Sequence, residues 1–453
     1  MLATAQFLVV LTTSIVNVAL PAIAEGLTLS PSGLAWVVNA YVLAFGSLLL
    51  FGGRLGDVFG RRRVFVSGTA VFAIGAAAAS ASTNSAVLVA ARAVQGVGAA
   101  LLAPAALGLV FALFPPGSGR ARALGVWGAV TGAGGAVGVV LSGVLTDVFG
   151  WRSVFLAGLA VAAPILVATR LLVAADVPAG GRIDLVGAGL VTAGLVAATL
   201  GLSGTGEHGW ISARTGGLLL VGVALLAAFV ATQRRIAEPL LRLSVLRTST
   251  VWRANVMMVL LGAAWLVLFY FLPLYQQRVL GYSPIRSGLT QLPLALAVTA
   301  ASTAAPRVVR RADPRLLLTA SLILVGAGLA WLARMPVDGT FITAIAVPSV
   351  LIGAGLGAAF VLLTDLSAAG VPTADAGLAG GLINTTRQVG GAVGLAVLST
   401  IATSVGSSDP TAPAPALARG YSAALLGAAA LSALSAASAF LLYPRRAPRK
   451  EST

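Results

Sequence analysis

Gly52-Gly53-Arg54-Leu55-Gly56-Asp57-Val58-Phe59-Gly60-Arg61-Arg62-Arg63-Val64-Phe65 is a charged turn wedged between two long apolar runs. Residues 34–51 before it and 64–88 after it carry no formal charge. Runs of about 20 apolar residues cross a bilayer as helices, because lipid offers an open backbone no hydrogen-bond partner. So short a turn joins two spans on one side of a membrane. Its order, Gly-x-x-x-Asp-x-x-Gly-Arg-Arg, points to a working part rather than a plain connection.

The composition agrees. Of 453 residues 58% are hydrophobic and 9% charged, with mean hydropathy +0.98. Soluble domains carry roughly 25% charged residues, so this chain lacks the means to cover a water-facing surface. It reads as an all-α integral membrane protein; a membrane β-barrel would show short alternating segments instead. The net charge of +16, almost all from arginine, reads as membrane topology rather than nucleic-acid binding. With no cysteine and one histidine, His208, no disulfide, metal centre or cofactor is expected. Met1 runs almost directly into an apolar stretch without a basic leader, so either the first helix is itself the targeting signal or the start clips a few residues. The Ala, Gly and Arg richness fits a GC-rich bacterial genome and a plasma-membrane location.

Apolar stretches between charged or Pro/Gly-rich breaks predict fourteen helices, at about 5–24, 34–55, 64–82, 86–113, 123–146, 153–174, 184–203, 215–233, 254–276, 287–305, 316–333, 341–369, 376–404 and 421–443. With both termini in the cytoplasm, 21 of the 29 basic residues fall in cytoplasmic loops and six in outer ones, as the positive-inside rule requires. Arg92 and Arg387 fall inside spans. An offset of 252 residues carries Leu20-Pro21 onto Leu272-Pro273, the Gly53 turn onto the Arg-rich stretch 305–317, and one Gly-rich helix onto another. The chain is therefore expected to hold two six-helix halves, 1–175 and 254–443. Two inserted helices (184–233), a basic cytoplasmic linker (234–253) and a cytoplasmic tail (444–453) complete it. Internal repeats of this kind are typical of secondary transporters, whose site lies between the repeats near the midplane.

Four segments carry a family resemblance: Phe7 to Pro21, Gly53 to Val64, the Arg92-x-x-Gln95-Gly96 run, and Gly377 to Gly394. In these the chain resembles the major facilitator superfamily, and within it the fourteen-helix drug:proton antiporter (EmrB/QacA-type) family. The resemblance covers essentially the whole length. It implies export of hydrophobic or amphipathic small molecules by alternating access, coupled to protons, by a monomer in the bilayer and not by an enzyme; the alternative readings are an uncoupled facilitator or exporter, and a transporter-like membrane sensor without flux. It also implies a gating loop of Gly53, Asp57, Gly60, Arg61 and Arg62, with Asp57 against Arg61 and a facing helix end. Gly60 supplies the backbone reversal and Gly53 a close helix approach.

Arg92 is costly inside a span. It either faces a wet cavity together with Gln95, or snorkels to the outer interface. The family's first-helix acid is missing: Thr12-Thr13-Ser14 stands there, with Asn17 on the same face, and hydroxyls do not titrate in the physiological range. Glu25, past the end of the first helix, and Asp365, in the twelfth, are the remaining candidates for proton binding. Asp365 sits close enough to a helix end to be merely interfacial. Asn384, Arg387 and Gln388 either line the cavity or bond neighbouring helices. Gly132, Gly138 and Gly143 permit close packing in the fifth helix, where the family's Gly-Pro and Gly-Gly pattern is incomplete. Aromatic residues including Trp265 and Phe269 are placed to stack on a substrate or to pack. The scarcity of acids argues against a strongly cation-selective pocket.

Overall fold

The computed structural model describes residues 1–114, 118–173, 180–205, 209, 211–334, 341–369, 371, 376–407, 409 and 412–443. The tail expected at 444–453 lies outside them. Among the described residues the chain is helical, with no strand. The long helices are α1 (Leu2–Gly26), α2 (Pro31–Phe59), α3 (Arg61–Ser80), α4 (Ser85–Leu113), α5 (Ser118–Phe149), α6 (Ser153–Leu172), α7 (Leu185–Ser203) and α8 (Ala213–Gln233). After a five-residue helix at Leu243–Arg247 come α9 (Ser249–Leu274), α10 (Pro284–Val308), α11 (Pro314–Leu332), α12 (Val347–Ala368), α13 (Ala376–Val405) and α14 (Ala414–Leu442). Thirteen of these are long and apolar enough to cross a membrane; in α5 the described apolar stretch, Ala133–Phe149, is shorter.

Helices start earlier than hydropathy alone predicts, because polar residues cap them. Ser30, Asn84, Asp184, Ser212 and Ser283 each accept a hydrogen bond from a backbone N–H three residues on, satisfying donors the first turn leaves open. Pro31 and Pro284 sit in first turns, where a missing N–H costs nothing. A π-helical turn, Tyr275–Val279, extends α9 beyond Pro273, and another, Ile342–Ala346, leads into α12.

The packing repeats along the chain. The pairs α1–α5, α1–α6, α2–α4, α3–α4 and α3–α6 recur eight helices later as α9–α13, α9–α14, α10–α12, α11–α12 and α11–α14. Across the two sets run α2–α13 and α5–α10, which exchange under the same shift, and α1–α9. Helices α7 and α8 pair with each other, and α7 leans on α2 and α13.

Two ends of the bundle can be told apart. At the end holding the α2–α3 turn, the Gly60 end, Arg62 donates to the Arg170 carbonyl (3.1 Å) and Arg54 to the Arg182 carbonyl (3.3 Å). At the opposite end, the Gly26 end, Arg152 donates to the Ser82 carbonyl (3.0 Å). There α1 is buried along 14–21, whereas several residues of its first ten are half-buried or exposed.

Small residues make the crossings. A Cβ on Gly143 of α5 would stand 2.6 Å from the Pro284 carbonyl oxygen, and one on Gly288 of α10 would stand 2.5 Å from the Val139 carbonyl oxygen. The α5–α10 contact is thus glycine against backbone from both sides. A Cβ on Gly138 would overlap Ser14 Oγ at 1.9 Å, which seats α5 on α1. Gly132 is helical, and its surroundings lie outside the described ones. In α2 the close approach falls one residue before the expected Gly53: a Cβ on Gly52 would meet the Ala100 carbonyl oxygen at 2.0 Å, whereas one on Gly53 has only ordinary contact with Pro104 at 3.7 Å. Gly52 is buried and Gly53 is not.

Gly143→Ala and Gly288→Ala are each expected to destabilise the protein by about 1–3 kcal/mol, the usual cost of overpacking. Because both open the same seam, the double substitution should cost less than their sum. Thermal denaturation of the purified variants in one detergent measures this; simple additivity would mean the two contacts are independent.

Candidate functional site

The charged turn assembles largely as its spacing suggests. Asp57 lies in the last turn of α2 and receives Arg61 Nη2 at 3.2 Å. Arg61 Nη1 donates to the Gly108 carbonyl of α4 at 3.1 Å, so the facing helix end is that of α4. Gly60 turns the chain at φ 95°, a left-handed conformation that favours glycine. Beside it the linker joins in: Glu238 pairs with Arg54 and accepts the Arg182 backbone N–H at 2.6 Å. That backbone bond, helped by Arg54, holds the Glu238 carboxyl below its ordinary pKa. Gln233, buried, donates to Asp184 and accepts the Leu241 N–H at 3.0 Å, tying α7, α8 and the linker together.

Arg92 is not at the interface and does not face open space: it is 1% exposed. Its Nε donates to the Val37 carbonyl of α2 at 3.0 Å and its Nη1 to Gln95 Oε1 at 2.9 Å. The guanidinium lies over the Tyr41 ring, 4.4 Å from the centroid. A charge inside a span costs from about 3 to more than 10 kcal/mol unless it finds partners, and Arg92 finds three. Thr12 and Asn17 are also buried in the packing of this half. Thr12 Oγ1 lies 4.0 Å from the Cβ position of Gly158, so it is turned toward α6.

Helix α13 presents a different picture. Arg387 is half-buried beside Trp265 of α9 and Phe360 of α12, 5.6 and 5.5 Å from guanidinium carbon to ring centroid. Phe269 stands 5.7 Å from Trp265 and Phe360 6.4 Å, centroid to centroid. No hydrogen bond or ion pair reaches Arg387 among the described residues, and its Nε is buried and unpartnered. Gln388 Oε1 and Thr385 Oγ1 are likewise buried without partners. Gln388 meets α2, its Cβ 2.6 Å from where a Cβ on Gly46 would stand. Asn384 donates to the Gly380 carbonyl of its own helix at 3.1 Å, and Thr386 to Asn255 Oδ1 of α9 at 2.5 Å. Three of the buried unpartnered polar atoms, on Thr385, Arg387 and Gln388, thus lie close together on α13 where it meets α2, α9 and α12.

The two candidate carboxylates stand elsewhere. Glu25 is exposed at the close of α1, and Asp365 is exposed in the last turn of α12. Neither meets Arg92 or Arg387. Among the described residues no group of three His, Asp or Glu side chains is arranged to hold a metal.

Sequence reasoning missed the aromatic cradle around Arg387 and the role of Gly46. Phe360 lies 27 residues before Arg387 and Trp265 lies 122 before it, so only the fold brings them together. It also missed the bridge at the Gly26 end, where Gln277 Nε2 of the π-turn donates to the Val18 carbonyl of α1 at 2.8 Å.

A family model, Major Facilitator Superfamily, matches residues 2–395. A cephamycin export protein of Amycolatopsis lactamdurans is 42% identical over 431 residues, covering 94% of this chain and 88% of the relative. A puromycin resistance protein of Streptomyces alboniger is 37% identical over 461 aligned positions, covering 99% and 91%. The crystal structure of a D-xylose–proton symporter superposes with TM-score 0.69 at 14% identity, covering 98% of this chain and 97% of that one; at that identity the likeness concerns fold alone.

Arg92 and Gln95 give a stability prediction. Gln95→Leu should cost about 1.5–3 kcal/mol by stripping a partner from a buried cation. Adding Arg92→Met should recover part of that loss, because an apolar replacement of a buried charge is often neutral. Denaturation midpoints of the single and double variants decide it; a double variant weaker than Gln95→Leu would assign Arg92 a larger structural role.

Proposed function

We propose that this chain, which belongs to the major facilitator superfamily, exports hydrophobic or amphipathic small molecules by alternating access. It is a membrane transporter and not an enzyme, and its relatives are named for antibiotic export and resistance. The observation that carries the mechanism is the repeated packing. Helices 1–6 and 9–14 make matching sets of contacts and meet chiefly along α2–α13, α5–α10 and α1–α9, with a smaller contact of α1 on α10. Two six-helix halves joined at so few seams can rock against each other about a site between them.

The Gly60 end is assigned to the cytoplasm, since Arg54, Arg61, Arg62, Arg63, Arg170, Arg182, Arg234 and Arg235 gather there. The contacts Gln277–Val18, Tyr270–Pro31 and Gly143–Pro284 then close the outer end. The described arrangement is read as the one open to the cytoplasm. Asp57, Arg61 and the Gly108 carbonyl, with Glu238 holding Arg54, form a bonded cluster at the open end that must shift with α2 and α4 when it closes.

On energy coupling, the placement of Asp365 and Glu25 supports the reading of an exporter without a proton carrier in its core. Both carboxylates are exposed at helix ends, and the candidate cavity residues Thr12, Asn17 and Asn384 carry no acidic group.

Inside-out vesicles carrying the protein are expected to accumulate radiolabelled cephamycin or puromycin, the compounds for which two relatives are named, above protein-free vesicles. Collapse of an imposed pH gradient, Asp365→Asn and Glu25→Gln should each change the rate by less than about twofold. No accumulation would overturn the export reading. A loss of fivefold or more on collapsing the gradient, reproduced by either substitution, would restore proton antiport.

A further inference from the structure

Arg92 and Arg387 are both arginines within spans, yet only one is provided for. Arg92 has a carbonyl, an amide and a ring. Arg387 has two rings at the outer limit of useful cation–π distance and no hydrogen-bond acceptor at all among the described residues. A guanidinium offers five donors in a planar fork matched to carboxylate, sulfonate or phosphate geometry. Leaving that fork unsatisfied in a membrane interior is expensive, unless another molecule supplies the acceptors.

The surroundings say which molecule. Trp265, Phe269, Phe360 and Arg387 are each half-buried, so the packing of the helices does not seal the face they form. Three aromatic rings there accept a flat apolar body. Gln388 Oε1 and Thr385 Oγ1, buried and unpartnered, stand beside the arginine in sequence, on the part of α13 that touches Gly46 of α2. Among the described residues no carboxylate pairs with Arg387. The charge is left for the cargo to neutralise.

We propose that Arg387, cradled by Trp265 and Phe360, binds the anionic group of the transported substrate, so that the preferred cargo is an amphipathic anion with an aromatic or other flat apolar body. This rests on the export reading above and narrows its substrate class. The site spans the seam between the halves, so a bound anion also bears on the α2–α13 contact at Gly46 and Gln388. The oxyanion accepts from the fork while the ring system packs against the face that Trp265, Phe269 and Phe360 form together.

Two probes share one skeleton and differ in charge: 8-anilinonaphthalene-1-sulfonate and the neutral N-phenyl-1-naphthylamine. Binding of each to the full-length protein in lipid nanodiscs is followed by energy transfer from tryptophan, with empty nanodiscs as the blank. Arg387→Gln is expected to weaken the sulfonate by about tenfold or more, the scale of a lost charge-assisted bond, and the neutral probe by less than about twofold. Arg387→Lys, which keeps the charge but not the fork, should lose less sulfonate affinity than Arg387→Gln. Phe360→Leu, which keeps the charge and removes a ring, should weaken both probes alike. Size-exclusion profiles check that each variant is intact. Equal losses for the two probes in Arg387→Gln, or unchanged sulfonate binding, would overturn the inference. If binding depends on Arg387 but inside-out vesicles accumulate neither probe, the anion site stands and the export reading falls.

Discussion

The structure depends on one constraint: within a bilayer, every polar group must find its partner inside the protein. Backbone groups meet it by forming helices, and the helices then have only packing left to hold them together. Glycine is how this chain packs. Gly52 on the Ala100 carbonyl, Gly138 on Ser14, and Gly143 and Gly288 on each other's helices bring backbones to distances no side chain would allow. Contacts of this kind along α5–α10 are tight, and among the described residues no ion pair crosses them. They suit a seam that, in the proposed cycle, holds in one state and separates in another.

The same constraint distinguishes the two intramembrane arginines. Arg92 obeys it with protein partners and acts as a strut between α2 and α4. Arg387 does not, and its unsatisfied donors face the residues best placed to hold a flat molecule. This bears on energetics as well as recognition. Each negative charge moved outward across an inside-negative membrane gains about 2.3 kcal/mol per 100 mV. An exporter of anions can thus work on the membrane potential alone. The missing acid at Thr12 and the unpaired cation at Arg387 are then two sides of one arrangement.

Much of the fold is legible from the chain because hydropathy at the scale of a bilayer leaves few alternatives, and the predicted helices match the observed ones to within a few residues except where α5, α9 and α14 start early, at Ser118, Ser249 and Ala414. The Asp57–Arg61 pair is legible too, because four residues bring both side chains to one turn. Less legible is anything that depends on which face of a helix looks inward. Arg92 reads as a cavity residue until Val37, Gln95 and Tyr41 are seen to enclose it. Gly53 reads as the packing glycine, yet the helix presents Gly52 to α4. Asp365 reads equally as an interior acid or an interfacial one, and it stands exposed in the final turn of α12. The cradle of Arg387 comes from three helices far apart in sequence, and no local pattern announces it.

The central claim is that the two halves part at the Gly26 end while pivoting along their seams. The chain has no native cysteine, so Thr28→Cys and Tyr282→Cys, on the turns after α1 and α9, place spin labels without background. Electron–electron distance measurements on this pair in nanodiscs should give two populations whose ratio shifts on addition of a transported compound. A single distance, unchanged by any compound the vesicles accumulate, would contradict alternating access about this seam.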